Sequence, residues 1–111
     1  MLEQILEIIR SHDEFVITSH IRPDGDALGS ELALMLVLEA IGKRARVINR
    51  DPVPARFENL PGANRVTAGE AVDGSPAAVF VLECGSMERT GLRGLSQHFL
   101  INIDHHHSTA E

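Results

Sequence analysis

The run Phe15-Val16-Ile17-Thr18-Ser19-His20-Ile21-Arg22-Pro23-Asp24-Gly25-Asp26-Ala27-Leu28-Gly29-Ser30 decides how this chain is read. Its first four residues are β-prone, and Pro23 and Gly25 then supply the turn of a polar loop. From Asp26 to Ile41 strong helix formers dominate, with Leu28, Leu32, Leu34, Met35, Leu36 and Leu38, and Gly42 closes the predicted helix. Arg46-Val47-Ile48-Asn49 follows as a second strand. The unit is strand, loop, helix, strand, for which a right-handed parallel crossover is expected.

Outward from this unit, Leu2, Ile5, Leu6, Ile8 and Ile9 recur at helical spacing between Glu3, Gln4, Glu7 and Arg10. They predict a short amphipathic helix ending near His12. The prolines between Asp51 and Pro61 mark a connecting segment with one helical turn around Arg56 to Asn59. Ala77 to Leu82 and Phe99 to Ile103 are near-continuous apolar runs, as parallel strands covered on both faces require. The fold class is therefore α/β, a Rossmann-like, mostly parallel sheet flanked by helices.

At 111 residues the chain has the size of one domain, and no internal repeat or linker divides it. Four Phe with no Trp or Tyr leave aliphatic residues to build the core. A net charge of -6 argues against gripping long duplex nucleic acid by phosphate neutralisation. The lone Cys84 excludes an intramolecular disulfide and reads as a small buried apolar residue. The N-terminus lacks a signal peptide's pattern, and no apolar run approaches the roughly 20 residues that span a bilayer, so a cytoplasmic protein without a membrane partner is expected. No feature sets an oligomeric state.

Chemistry gathers at two strand ends. His20, Asp24 and Asp26 project from the first loop, and Asp104-His105-His106-His107 ends the last apolar run. Ligands of open α/β sheets collect at such ends. Imidazole with carboxylate suits Mn²⁺, Fe²⁺, Co²⁺ or Zn²⁺, and the absence of a Cys cluster argues against structural zinc. With Glu83 and one of Asp104 to His106 added, the donors reach the number a two-metal centre uses for phosphoester hydrolysis. Each piece also has a plainer reading: Asp26 as a helix cap, His20 as a satisfied strand-end histidine, His12 and His98 as surface residues. The three histidines are flanked by Asp104 and Ser108 to Glu111, unlike an expression tag. Gly25 to Ser30 lacks a Walker A Lys and a full Gly-x-Gly-x-x-Gly.

The residues from Phe15 to His107 resemble the DHH phosphoesterases, in particular their oligoribonuclease and nucleotide phosphatase subfamily. His-x-x-Pro-Asp-x-Asp-Ala-x-Gly-Ser is present from His20 to Ser30, and the name-giving triplet is Asp104-His105-His106. The resemblance implies that His20 and Asp24 bind one manganese, that Asp26 and His105 bind another, and that Glu83 bridges both where relatives carry Asp. Asp104 and His106 would support the reaction, and Arg89 would approach substrate. Two Mn²⁺ are implied, with Mg²⁺, Co²⁺ or Zn²⁺ as substitutes, and short RNA or 3′-phosphoadenosine 5′-phosphate as substrate.

The family also carries a downstream metal-binding Asp and a second, substrate-binding domain. Residues 1–111 are therefore expected to be the N-terminal part of a DHH catalytic domain, truncated before that domain and with little activity alone. Competing expectations are a cyclic dinucleotide phosphodiesterase, a pyrophosphatase or exopolyphosphatase, and a non-catalytic nucleotide-binding module.

Overall fold

Strand β1 (Glu14–Thr18) forms the centre of a five-stranded parallel sheet, with Phe15, Val16 and Ile17 fully buried, in a computed structural model that describes residues 2–103. Beside it lie β2 (Arg44–Asn49) and β4 (Ala78–Leu82), with β3 (Thr67–Ala68) and β5 (Leu100–Ile103) outside them, in the order β3-β2-β1-β4-β5. Every pairing is parallel: Val16 faces Arg46 on one side and Val79 on the other, and Val79 in turn faces Leu100. The expected Rossmann-like sheet is present. The order reverses between β1 and β4, which makes the carboxyl ends of these two strands the topological switch point where open sheets bind ligands.

Both faces of the sheet are apolar, as a parallel sheet needs. Phe15, Ile17, Val47 and Phe80 point to one face and meet Leu32, Met35 and Leu38 of helix α2 (Gly25–Ala40). The Phe15 and Phe80 rings are 5.9 Å apart and tilted by 57°, a favourable aromatic arrangement. On the other face Val16, Val79 and Val81 pack with Cys84, Leu92 and Leu95. Helix α1 (Leu2–Ser11) adds Ile5, Ile8 and Ile9 to the first cluster, as its amphipathic spacing predicts. Cys84 is buried, its thiol donating to the Ser86 carbonyl at 3.0 Å.

Local chemistry fixes the ends of α2. At its carboxyl end Gly42, at φ 88°, donates to the Glu39 carbonyl while Lys43 donates to Leu38, which is a Schellman closure that only glycine enters without strain. At its amino end the helix begins at Gly25, one residue earlier than the sequence pattern suggests. The cap is therefore Asp24, not Asp26: Asp24 Oδ1 accepts from Ala27 N at 2.9 Å. The connecting segment forms a single 3-10 turn at Ala55–Phe57, shifted one residue towards the N-terminus from its expected place.

Candidate active site

At the carboxyl edge of the sheet the loop after β1 is tied to the segments after β2 and β4, and it carries the most chemistry. His20 is held at the strand end with its side chain 12% exposed, while that of Asp24 is 62% exposed. His20 Nδ1 is 2.7 Å from the Ile21 carbonyl, which can only accept, so Nδ1 carries the proton. In the neutral ring this leaves the lone pair on Nε2, which stands 4.0 Å from Asp24 Oδ1. That separation is just under twice a metal–ligand bond of about 2.1 Å. An imidazole whose second nitrogen donates to a carbonyl is in the state metal-binding histidines adopt.

Asp26 lies exposed in the first turn of α2, where its charge opposes the positive end of the helix. Glu83 immediately follows β4 at the switch point, and its backbone N–H donates to the Ile103 carbonyl at 2.9 Å. This bond joins the ends of β4 and β5 directly before position 104. Arg89 is exposed in the short 3-10 turn Met87–Thr90, and its carbonyl accepts from Ile21 N at 2.7 Å. The turn bearing Arg89 is thus tied to the loop bearing His20. Asp104, His105 and His106 lie outside the described residues. Among the described residues no three His, Cys, Asp or Glu side chains converge on one point, and His20 with Asp24 is the pair that fits a cation.

Backbone strain concentrates here as well. Arg22 and Glu83 are non-glycine residues in the left-handed region, at φ 52° and 54°, and they follow adjacent strands of the sheet. Such residues cost about 1 kcal/mol or more each and cluster at functional sites. Arg22 is held by a 2.8 Å hydrogen bond from its backbone N–H to Asp51 Oδ2. Gly91, at φ 73°, permits the closest approach: a Cβ there would stand 2.6 Å from Ile21 Cγ2 and 2.9 Å from Arg50 Cγ.

Beneath the loop lies an acid that the sequence reading passes over. Glu31 is 0% exposed, and its Oε1 accepts from Asn49 Nδ2 at 2.9 Å. Asn49 Oδ1 in turn accepts from Thr18 Oγ1 at 3.2 Å and from Ser19 N at 3.3 Å. Burial lifts the Glu31 carboxyl to about 7, while the hydrogen bond from Asn49 pulls the other way. Glu31 falls three residues after Leu28 and four before Met35, on the buried stripe of α2.

The sequence profile described as "DHH family, N-terminal domain" matches residues 14–111.

The chain belongs to the DHH phosphoesterase family.

It is 36% identical over 91 residues to the "Bifunctional oligoribonuclease and PAP phosphatase NrnA" of Thermus thermophilus. That alignment covers 81% of this chain and 27% of the relative. Among solved structures, an exopolyphosphatase-related protein from Bacteroides fragilis superposes with a TM-score of 0.83, covering 95% of this chain and 34% of that one, at 24% identity. This DHH chain therefore spans about a third or less of the length of both matches, and it shares its fold with the Bacteroides fragilis protein. No helix among the described residues is long and apolar enough to cross a membrane.

Proposed function

We propose that this chain is the N-terminal part of the catalytic domain of a metal-dependent phosphoesterase that cleaves short oligoribonucleotides or 3′-phosphoadenosine 5′-phosphate. One observation carries the reading: an imidazole nitrogen and a carboxylate 4.0 Å apart, on the loop that carries the His20–Ser30 motif, at the switch point of a parallel sheet. The relative from Thermus thermophilus, named for oligoribonuclease and PAP phosphatase activity, supports the substrate class.

His20 and Asp24 would hold one divalent ion, manganese in this proposal. Asp26, Glu83 and His105 would complete a two-ion centre, with Asp104 and His106 in support. Bound there, such ions offset charge developing on the phosphate oxygens and lower the pKa of the attacking water. The chain's own contribution is preorganisation. The Ile21 carbonyl keeps the proton on His20 Nδ1, the Asp24 cap fixes that carboxylate to α2, and the Arg89 turn clamps the loop between them. Ligands held in place before substrate arrives need not reorganise during the reaction. Arg89, exposed on that turn, would meet a phosphate oxygen of the substrate.

The test is hydrolysis of a dinucleotide by metal-stripped protein with and without added Mn²⁺. Turnover that returns with Mn²⁺ and is lost in His20→Ala is expected. Equal turnover in excess chelator overturns the reading.

A further inference from the structure

The chain carries ten Lys and Arg residues against sixteen Asp and Glu, so an acidic partner should be within reach of each cation. For six of them it is. Arg10, Lys43, Arg44, Arg46, Arg65 and Arg93 each have a carboxylate within 4.0 Å. Among the described residues, the four arginines without such a partner are Arg22, Arg50, Arg56 and Arg89. All four follow the carboxyl ends of parallel strands: Arg22 after β1, Arg50 and Arg56 after β2, Arg89 after β4. The unneutralised positive charge of an acidic protein is collected at one edge of its sheet.

Two of the four share a cleft. Arg22, Pro23, Asp51, Pro52, Pro54 and Arg56 line a cavity of about 460 Å³ beside the loop that bears Asp24. The walls are stiff: three prolines lack backbone freedom, and Arg22 is pinned in its left-handed conformation by Asp51. Asp51 Oδ2 is occupied by the Arg22 backbone N–H rather than by either guanidinium. The Arg56 guanidinium lies 4.7 Å over the Phe57 ring, and a Cβ at Gly25 would touch that same ring at 3.4 Å. Phe57 therefore touches both the Arg56 guanidinium and the Asp24-Gly25-Asp26 turn, which places Arg56 close to the loop of the candidate centre. An arginine held by stacking presents a planar fork suited to phosphate oxygens.

We propose that the cleft between Arg22 and Arg56 is a phosphate subsite, which takes a phosphate of the substrate neighbouring the one that reacts. It would select chains of linked phosphates over a single phosphate. The shared chemistry is a run of phosphate groups, supplied either by a short oligoribonucleotide or by inorganic polyphosphate. The inference rests on the phosphoesterase reading for its placement, but the binding it predicts requires no turnover.

The experiment measures binding to this chain of a 5′-phosphorylated dinucleotide and, separately, of inorganic tripolyphosphate, each over a series of salt concentrations. Arg22→Gln and Arg56→Gln are compared with Arg44→Gln, which removes the same charge from the start of β2. About tenfold weaker binding in each of the first two, with a salt slope shallower by about one, and no such change in Arg44→Gln is expected. Loss with both ligands, or with the dinucleotide or polyphosphate alone, supports the subsite and names its source. Parent-like affinity in both variants, the same loss in Arg44→Gln, or no binding by the parent chain overturns it. A chain that binds in this pattern but takes up no Mn²⁺ at His20 and Asp24 would count against the phosphoesterase reading while leaving the subsite standing.

Discussion

Asn49 Nδ2 donates a 2.9 Å hydrogen bond to Glu31 Oε1, joining the end of β2 to the middle of α2 directly beneath the His20 loop. Because Asn49 also receives Thr18 Oγ1 and Ser19 N, the acid is coupled to the end of β1. The loop bearing the candidate ligands rests on a buried polar network, and in such networks each member depends on the others.

Burial raises the Glu31 carboxyl from 4.5 to about 7 in the folded chain. An acid with a raised folded-state pKa favours folding in its neutral form. Its contribution is complete below about pH 4.5, declines as pH rises towards 7 and is gone above that, a loss of about 3 kcal/mol across the window. Glu31→Gln keeps the acceptor for Asn49 and removes the titration. Urea denaturation at pH 4 and pH 8 is expected to show the variant gaining on the parent as pH rises. Parallel curves would contradict the assignment.

Asp24 caps α2, and the metal-ligand task proposed for it can be separated from the cap by chemistry. Asn caps a helix about as well as Asp, so Asp24→Asn is expected to keep stability within about 0.5 kcal/mol, whereas Asp24→Ala loses about 1 kcal/mol. Both variants lose the anionic ligand, and both are expected to weaken manganese binding at least tenfold by calorimetry. Retained affinity in Asp24→Asn would remove Asp24 from the metal site.

Gly91 marks the clamp between the Arg89 turn and the His20 loop. Adding a methyl group at φ 73°, 2.6 Å from Ile21 Cγ2, must displace one of them. Gly91→Ala is expected to cost about 1–3 kcal/mol by thermal or urea unfolding, and to lower activity further by moving the loop. A variant as stable and active as the parent would show that the clamp is not needed.

Much of the fold is legible in the sequence because central parallel strands must be apolar, as β1 and β4 are; the run Phe99 to Ile103 also forms a strand, β5, but it lies at the sheet edge with Phe99, Asn102 and Ile103 exposed rather than covered on both faces. Strand β3 is not legible, since two residues, Thr67 and Ala68, carry no periodicity. Glu31 is hidden for a different reason: Leu36 and Val37 are exposed, so apolar residues surround α2 and its buried stripe is not marked out. The first loop is legible as a motif because its residues are contiguous. The basic edge is not, because Arg22, Arg50, Arg56 and Arg89 are scattered along the chain, and only the pairing of the other six cations sets them apart.

The φ of 54° at Glu83 is a conformation Asp tolerates better than Glu. Glu83→Asp is expected to keep manganese binding and to gain a few tenths of a kcal/mol in stability, while Glu83→Ala is expected to bind the second ion of the proposed centre at least tenfold more weakly. Calorimetric titration of both variants measures this. Parent-like binding in Glu83→Ala would exclude Glu83 from the centre.

Anomalous diffraction at the manganese edge, from crystals of this chain soaked in Mn²⁺, tests the metal centre most directly. The expected result is a peak between His20 Nε2 and Asp24, with a second about 3.5–4 Å away on the side of Asp26 and Glu83. Soaked crystals with no anomalous density against His20 and Asp24 would contradict the account.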